Sequence, residues 1–490
     1  MNSALSSQVF DLLVIGGGIH GAAICWEATL RGLRVALVEK NDFSSGASSG
    51  NYRIIHGGLR YLQHFDLPRL FESVREQQVF RQIAPDALKP LPFIIPCYGF
   101  GMRGRELLRL GLSFYDLLTF FRNQGVRAGL ELPAHRVVEK DELLNIAPHL
   151  DSAGLRGGIL YYDVQMEDPD RLGLAFVLSA KERGAVVSNY TRAESVLLSG
   201  NRIESVKCLD SLTGESCDVQ ARFVVNASGP WRSSVAAKLL GRPAPIQSVF
   251  SKGLQVTLPG LTGSYALVLE SKYRDKNAFV SKGNRSYFIQ PWRGYTIAGT
   301  ADILHTADPD SYTLTDTEVH LFLEELSELY PDPRISRENV VDTFGGLRPV
   351  SPKVIRMFNS GKLSSYGSIE VAHRDTVISQ ADEGVENMIS VEGIKYTTTR
   401  KLAERVINQV VRAGGFKAGP SKSASTPLNY RKAPQAPSRE NLREILKTEL
   451  VRTRDDLLRR RLGVGALGAL PPEVLTMVDE VIGEKQTLVF

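Results

Sequence analysis

The chain has 490 residues, a formal net charge of +5 and a pI near 8.9, with 43% apolar and 23% charged residues. That length can bury a large core and calls for two or three domains, and the composition is that of a soluble globular protein. Acids and bases balance along most of the chain, which sets nucleic acid aside as a partner, and no apolar run approaches the roughly 18 residues that span a bilayer.

The N-terminus, MNSALSSQVF, lacks a basic n-region, so no signal peptide is expected and the compartment reads as cytoplasmic. The next stretch, FDLLVIGGGIHGAAICWEATLRGLRVALVE, predicts a strand over 10–15, a glycine turn, a helix over about 18–31 and a strand over 34–39. Gly16, Gly18 and Gly21 fit G-x-G-x-x-G, which lets backbone N–H groups and the helix's positive end approach a pyrophosphate. Glu39 follows about 20 residues on, where a carboxylate accepts from a ribose diol. Strand, turn, helix, strand and acid in register predict a dinucleotide site, either FAD or NAD.

The loop DFSSGASSGNYRIIHGGLRYL then replaces the helix and strand of a plain NAD unit, which tilts the choice towards a flavin; its small residues, including Ser48, Ser49 and Gly57, permit close approach. An amphipathic helix is predicted over 67–83, with Leu70, Phe71, Val74 and Phe80 on one side. Residues 103–127 place Arg103, Arg105, Arg109, Arg122 and Arg127 around LLRLGLSFYDLLTFF. This is either a segment lying on an anionic membrane surface or a core helix with a basic outer face.

Asp168-Pro169 opens a helix running to Arg183. Strands are predicted over 186–196, 202–208 and 217–225, the last ending in NASGPW, whose Ala227 and Gly229 lie where open α/β sheets bind ligands. Strands at 253–258, 266–269, 286–291 and 295–300 have no helices between them and suggest a separate antiparallel sheet. A capping box at Thr315–Glu318 starts a helix ending near Tyr330. SVEGIKYTTTRKLAERVINQVV predicts strand, glycine turn and helix; 419–439 reads as a linker, and 440–461 and 471–484 as helices. The cysteines, Cys25, Cys97, Cys208 and Cys217, have no metal spacing, so no metal is expected; Cys208 and Cys217 can face each other across a hairpin.

Taken together, IGGGIHGAAI, IHGGLRYL (55–62), YYD (161–163), NASGPW, PWRGYTIAGTAD (291–302), GLRPV (346–350), HRDTVI (373–378) and GIKYTTTRKLAE (393–404) resemble, in order, the aerobic, quinone-linked FAD-dependent glycerol-3-phosphate dehydrogenase family. The resemblance covers roughly residues 8–413. It implies an α/β fold like that of glycine oxidase and D-amino-acid oxidase: a Rossmann-like FAD-binding domain, an antiparallel-sheet substrate domain and a short helical C-terminal tail. Expected boundaries are 8–95, 150–240 and 340–415 for the FAD domain, 96–149 and 241–339 for the substrate domain, 416–439 for a linker and 440–490 for the tail.

The resemblance also implies hydride transfer from C2 of sn-glycerol 3-phosphate to flavin N5, giving dihydroxyacetone phosphate, with electrons passing to membrane quinone. The place would be the cytoplasm or, peripherally, the inner face of the cytoplasmic membrane; a homo-oligomer stays open. It puts Arg60, Arg348 and Arg374 at the substrate and Lys395 beside the flavin, with Gly393, Tyr396 and Thr397 in the same cofactor turn. The chemistry agrees, since a phosphate dianion needs several fixed guanidinium groups. His56 and His373 are the candidates for accepting the hydroxyl proton, His56 also lying beside the cofactor. Gln255 stands where the family carries a histidine; it can hydrogen-bond a hydroxyl but cannot take its proton. Asn51-Tyr52-Arg53 replaces the family's Ser-Ser-Lys, which predicts an altered pocket rim or altered flavin contacts. An oxidase or dehydrogenase for another phosphorylated or carboxylated secondary alcohol is the alternative, and a flavin-binding protein without turnover a third.

Overall fold

The computed structural model describes residues 3–62, 65–100, 104–243, 249–274, 284–362, 369–434, 436–463 and 471–487. The chain divides into two compact units: Met1–Ser49, Asp168–Ser248 and His373–Phe490 form one, and Gly50–Glu167 and Val249–Ala372 the other.

In the first unit the strand Phe10–Ile15, buried at every position, pairs in parallel with Val35–Val38 and with Ser216–Asn226. Val186–Ser188 and Met388–Glu392 extend the parallel sheet outward, and Thr376–Ser379 closes one edge antiparallel. Burial on both faces explains the continuous Val, Ile and Leu runs. The helix Ile19–Leu30 is buried almost throughout, packed by the helices Pro169–Glu182 and Thr399–Gly414. Its Gly, Ala and Cys residues let neighbouring backbones come close. Cys208 and Cys217 are paired in register across the hairpin, both as free thiols.

Residues 186–196 form two strands rather than one. Tyr190, at φ +54°, turns the chain out of the parallel sheet into the antiparallel strand Thr191–Ser199. The expected linker is also packed onto this unit: Gly419 N–H donates to Arg31 O at 3.0 Å and Asn429 N–H to Ser179 Oγ at 2.8 Å. Beyond it the helices Arg439–Thr448 and Pro472–Thr487 share an apolar cluster that includes Leu442, Leu457 and Val478. Residues 464–470, between the tail's helical stretches, lie outside the described residues.

The second unit is built on a ten-stranded sheet among the described residues. Phe250–Pro259, Tyr295–His305, Asn284–Trp292 and Ala266–Arg274 form its meander, as the sequence predicts, and it continues through Leu88–Tyr98 and Leu155–Met166. This moves the boundaries. Residues 50–95, 150–167 and 340–372 belong with the antiparallel sheet, because Leu88–Tyr98 pairs with Leu155–Met166 along most of its length, and Asp342–Phe344 and Leu347–Pro349 pair with Phe250–Pro259. The Thr315 capping box is present on the helix Asp316–Leu329.

The helix Leu67–Ile83 forms as predicted, with Leu70, Val74 and Phe80 buried, but Phe71 is exposed. The helix Arg105–Leu118 buries Leu112 and Tyr115 and exposes Leu107, Leu110, Phe114 and Leu117, with Phe120 exposed just beyond. Its outer face is therefore apolar, not the basic face of a core helix. Arg122 is buried against Asp116, Arg105 pairs with Glu139, and Arg127, itself exposed, pairs with Asp86; Arg109 is exposed on the helix. Arg103 lies outside the described residues.

Candidate functional site

In the first unit the glycine turn and its partners form a cradle. Gly16 adopts φ +105°, and a Cβ there would overlap the Ala227 carbonyl, so the two parallel strand ends approach to backbone distance. A Cβ on Gly21 would overlap the Gly16 carbonyl, which fixes the helix close to the strand end. Gly18 caps the helix Ile19–Leu30 without a side chain, and Ile19 N–H, at the helix's positive end, donates to Ser48 Oγ at 2.9 Å. Ser48 thus stands at the anion position of the turn. Ser49 instead hydrogen-bonds its own loop, donating to Gly46 O at 2.8 Å.

Both Glu39 carboxylate oxygens accept backbone donors, Oε2 from Gly17 N–H at 2.6 Å and Oε1 from Asn41 N–H at 2.9 Å. Burial holds its pKa above the usual carboxylate range, against those donors. Each oxygen keeps a lone pair for a further donor.

The third wall is the turn at Gly393. His20, on the first helix, fills the space a Cβ on Gly393 would need, and its Nε2 is buried without a hydrogen-bond partner among the described residues. Burial lowers its pKa, with Asp375 opposing, and it hydrogen-bonds the Lys395 backbone. Asp375 also accepts from Ile394 N–H at 2.9 Å, so it holds the same turn. Burial pushes Lys395 down to about 8. Tyr396 is committed elsewhere, its hydroxyl donating to Pro169 O at 2.6 Å, so its side chain is a packing group rather than a free donor; Thr397 is buried. The helix after this turn is Thr399–Gly414. Gly229 adopts φ +60° in a short turn after the strand. His373 and Arg374 are exposed on this unit.

Sequence reasoning missed His20 and Asp375. A histidine inside the dinucleotide fingerprint, between Gly18 and Gly21, and an acid beside His373-Arg374 were the available signals.

The second unit carries Arg348 and Gln255 on neighbouring antiparallel strands, Leu347–Pro349 and Phe250–Pro259. Ser251 is the register partner of Arg348, and both donate to Asp302. Arg348 Nε is buried with no partner among the described residues. Gln255, 3% exposed, donates weakly to Gly50 O and Thr300 Oγ1 at 3.5 and 3.4 Å, while its Oε1 is buried without a partner there. An amide of this kind is built to meet a polar group.

His56 and Gly57 occupy a separate turn of the same unit. Asp163 accepts from Gly57 N–H at 2.8 Å and from Gln77 Nε2 at 2.5 Å, and Tyr115 donates to Gly57 O at 3.3 Å. Arg60 is exposed on the short helix Leu59–Leu62. Of Asn51-Tyr52-Arg53, Arg53 is buried and the other two are half-buried: Tyr52 donates to Phe288 O at 2.7 Å, and Arg53, at φ +59°, stacks 4.0 Å over Trp292.

The glycine cradle, the acid and the orphaned His20 Nε2 suit a dinucleotide. A family model described as FAD dependent oxidoreductase matches residues 11–372. The chain is 33% identical over 433 residues to a protein from Synechocystis named glycerol-3-phosphate dehydrogenase, covering 86% of this chain and 74% of that one. It is 32% identical to the human protein named mitochondrial glycerol-3-phosphate dehydrogenase, but spans only 55% of it. Among solved structures, the glycerol-3-phosphate dehydrogenase from Bacillus halodurans complexed with FAD aligns at a TM-score of 0.63 and 25% identity, over 87% of this chain and 68% of that one. Glycine oxidase from Geobacillus kaustophilus, at 0.55 and 21% over 87% of this chain and 100% of that one, shares the fold. The chain belongs to the FAD-dependent oxidoreductase family, and FAD is the dinucleotide its glycine cradle takes.

Proposed function

We propose that the protein oxidises sn-glycerol 3-phosphate at C2 to dihydroxyacetone phosphate and passes the electrons to a membrane quinone. The observation that carries this reading is the relationship to the Synechocystis protein of that name, which runs through 86% of the chain. When bound, FAD supplies the acceptor for the hydride that leaves the alcohol carbon. In this reading the chain's residues bind and orient the substrate. Arg348, whose buried Nε has no partner among the described residues, supports a role at the phosphate, joined by Arg60 and Arg374. Gln255 Oε1 accepts from a substrate hydroxyl, and His56 or His373 takes the hydroxyl proton. Lys395 places its ammonium beside the flavin, where developing negative charge is stabilised.

The reading includes a peripheral place on the inner face of the cytoplasmic membrane. Leu107, Leu110, Phe114 and Leu117 recur at helical spacing on one exposed stripe, with Arg109 on the same helix. An aliphatic and aromatic stripe beside a cation fits the interface of an anionic lipid surface, which is also where a quinone is reached. No helix among the described residues is long and apolar enough to cross a membrane.

The test is an anaerobic substrate panel on the purified flavoprotein. Glycerol 3-phosphate should bleach the yellow flavin band. Bleaching only by another hydroxy acid would replace the substrate, and no bleaching by any member would remove the catalytic reading.

A further inference from the structure

Asp42 follows Glu39 by three residues and is fully buried. Its Oδ2 accepts from Arg460 Nε at 2.6 Å and Arg461 Nη1 at 2.7 Å, and its Oδ1 from Arg461 Nη2 at 2.9 Å and Asn189 Nδ2 at 2.9 Å. Both arginines belong to the C-terminal segment, more than four hundred residues away. Burial would raise the Asp42 pKa, yet the two guanidinium groups hold it below the usual carboxylate range.

The loop anchored this way presses on the glycine turn. Phe43, buried, fills the space that a Cβ on Gly17 would occupy. Ser44 N–H donates to Gly17 O at 3.0 Å, and Gly17 N–H donates to Glu39 Oε2 at 2.6 Å. Asn41 O accepts from Tyr190 N–H at 2.9 Å, and Tyr190 hydroxyl donates to Asp456 in the C-terminal segment at 2.6 Å. Residues 39–44 are thus held between the turn on one side and the C-terminal arginines on the other.

Docking the segment does not require this lock. The buried pair between Arg171 and Glu449, at 2.9 Å, and the pair between Arg452 and Asp210, at 2.7 Å, already fasten it. A further buried carboxylate with two guanidinium groups carries a desolvation cost that apolar side chains would avoid. Its distinguishing feature is its address, the loop that carries the ribose acid.

We propose that Arg460 and Arg461 are positioning residues for the ADP end of FAD, acting through Asp42 and Phe43 on the Gly16–Gly18 turn. The C-terminal segment is then a working part of the cofactor site. This inference concerns cofactor binding and stands or falls apart from the identity of the substrate.

Coupling of this kind is reciprocal, so FAD must also tighten the segment. In the full-length wild-type apoprotein, adding FAD should slow amide exchange over residues 456–462 as well as over 16–22. In full-length Arg461→Lys, which keeps the charge but loses the paired donors, the FAD dissociation constant and the competition constant for ADP should both rise about fivefold or more. Arg460→Lys gives the same test with a side chain nearer the surface. Arg443→Ala, which removes an exposed pair with Glu484 on the same segment, should leave both constants within about twofold of wild type. Unchanged exchange over 456–462, or an Arg461→Lys protein that melts earlier yet binds FAD and ADP as wild type does, would overturn the proposal.

Discussion

The carboxylate of Asp163 accepts the backbone N–H of Gly57 at 2.8 Å, and that bond ties the strand Leu155–Met166 to the turn carrying His56. Gln77 completes the tie by donating to both Asp163 Oδ1 and Ile55 O, at 2.5 and 2.7 Å. Tyr115, from the inner side of the surface helix, bonds the Gly57 carbonyl. The turn is therefore fixed from three elements.

Burial pushes Asp163 up to about 7, while the N–H donors of Gly57, Gln77 and Val164 and the charge of Arg81 pull it down. The folded protein thus holds this proton more tightly than the unfolded chain. Its contribution to stability is full below about pH 4 and is lost as pH rises through about 7, at about 1.4 kcal/mol per unit of displacement. Asp163→Asn keeps an acceptor for Gly57 and removes the titration. Unfolding measured from pH 4 to 8 should show wild type losing stability relative to the variant as pH rises. Parallel curves would remove Asp163 as the titrating group.

Asp163 also shows why some of the site was hidden. Its partners Gln77 and Gly57 are 86 and 106 residues away in sequence, and no local pattern joins them. The glycine turn was legible because Gly16, Gly21, the flanking strands and Glu39 are consecutive, and periodicity carries all of them. Leu88–Tyr98 was not, since Pro90, Pro92 and Pro96 argue against a strand inside a sheet, and its pairing with Leu155–Met166 is long-range. That strand carries the domain boundary with it. The C-terminal segment looked detachable because its anchors, Asp42 and Arg171, are ordinary charged residues until folding buries them.

Arg348→Ala should lower kcat/KM for the substrate by an amount equivalent to about 2–4 kcal/mol, the usual loss for one partner of a desolvated charge pair. Arg348 shares Asp302 with Ser251, so the variant also leaves that carboxylate with one donor fewer. Arg348→Ala combined with Asp302→Asn separates the effects. If the pair of changes restores kcat/KM, the arginine serves only Asp302; a persistent loss places it at the substrate.

The surface helix gives a different kind of prediction. Leu110 and Leu117 are 65% and 68% exposed, and most of the nearby arginines are already paired within the fold. Binding to anionic vesicles should therefore depend chiefly on the apolar stripe. Leu110→Ser with Leu117→Ser should abolish co-sedimentation at low salt, whereas raising the salt on wild type should only weaken it. Equal sedimentation of variant and wild type would sink the membrane reading, and loss of wild-type binding in moderate salt would return the role to the cations.

The proposed place of Lys395 beside the flavin gives a prediction about protons. Burial pushes its pKa down to about 8. A lysine lowered on folding holds its proton less tightly in the folded state, so its penalty is present in full below about pH 8 and fades as pH rises towards its unfolded value near ~10.4. An anionic group brought beside the ammonium reverses that shift, because it favours the charged form. Two-electron reduction of the bound flavin at about pH 8.5 should then draw protons onto Lys395 beyond those the flavin itself takes up. A dye-based proton measurement in weak buffer reads the uptake directly, with Lys395→Met as the comparison. The wild type should take up a measurable fraction of a proton that the variant does not. Equal uptake by both would move the charge away from the cofactor, and His20, against the same turn, would be the next group to replace.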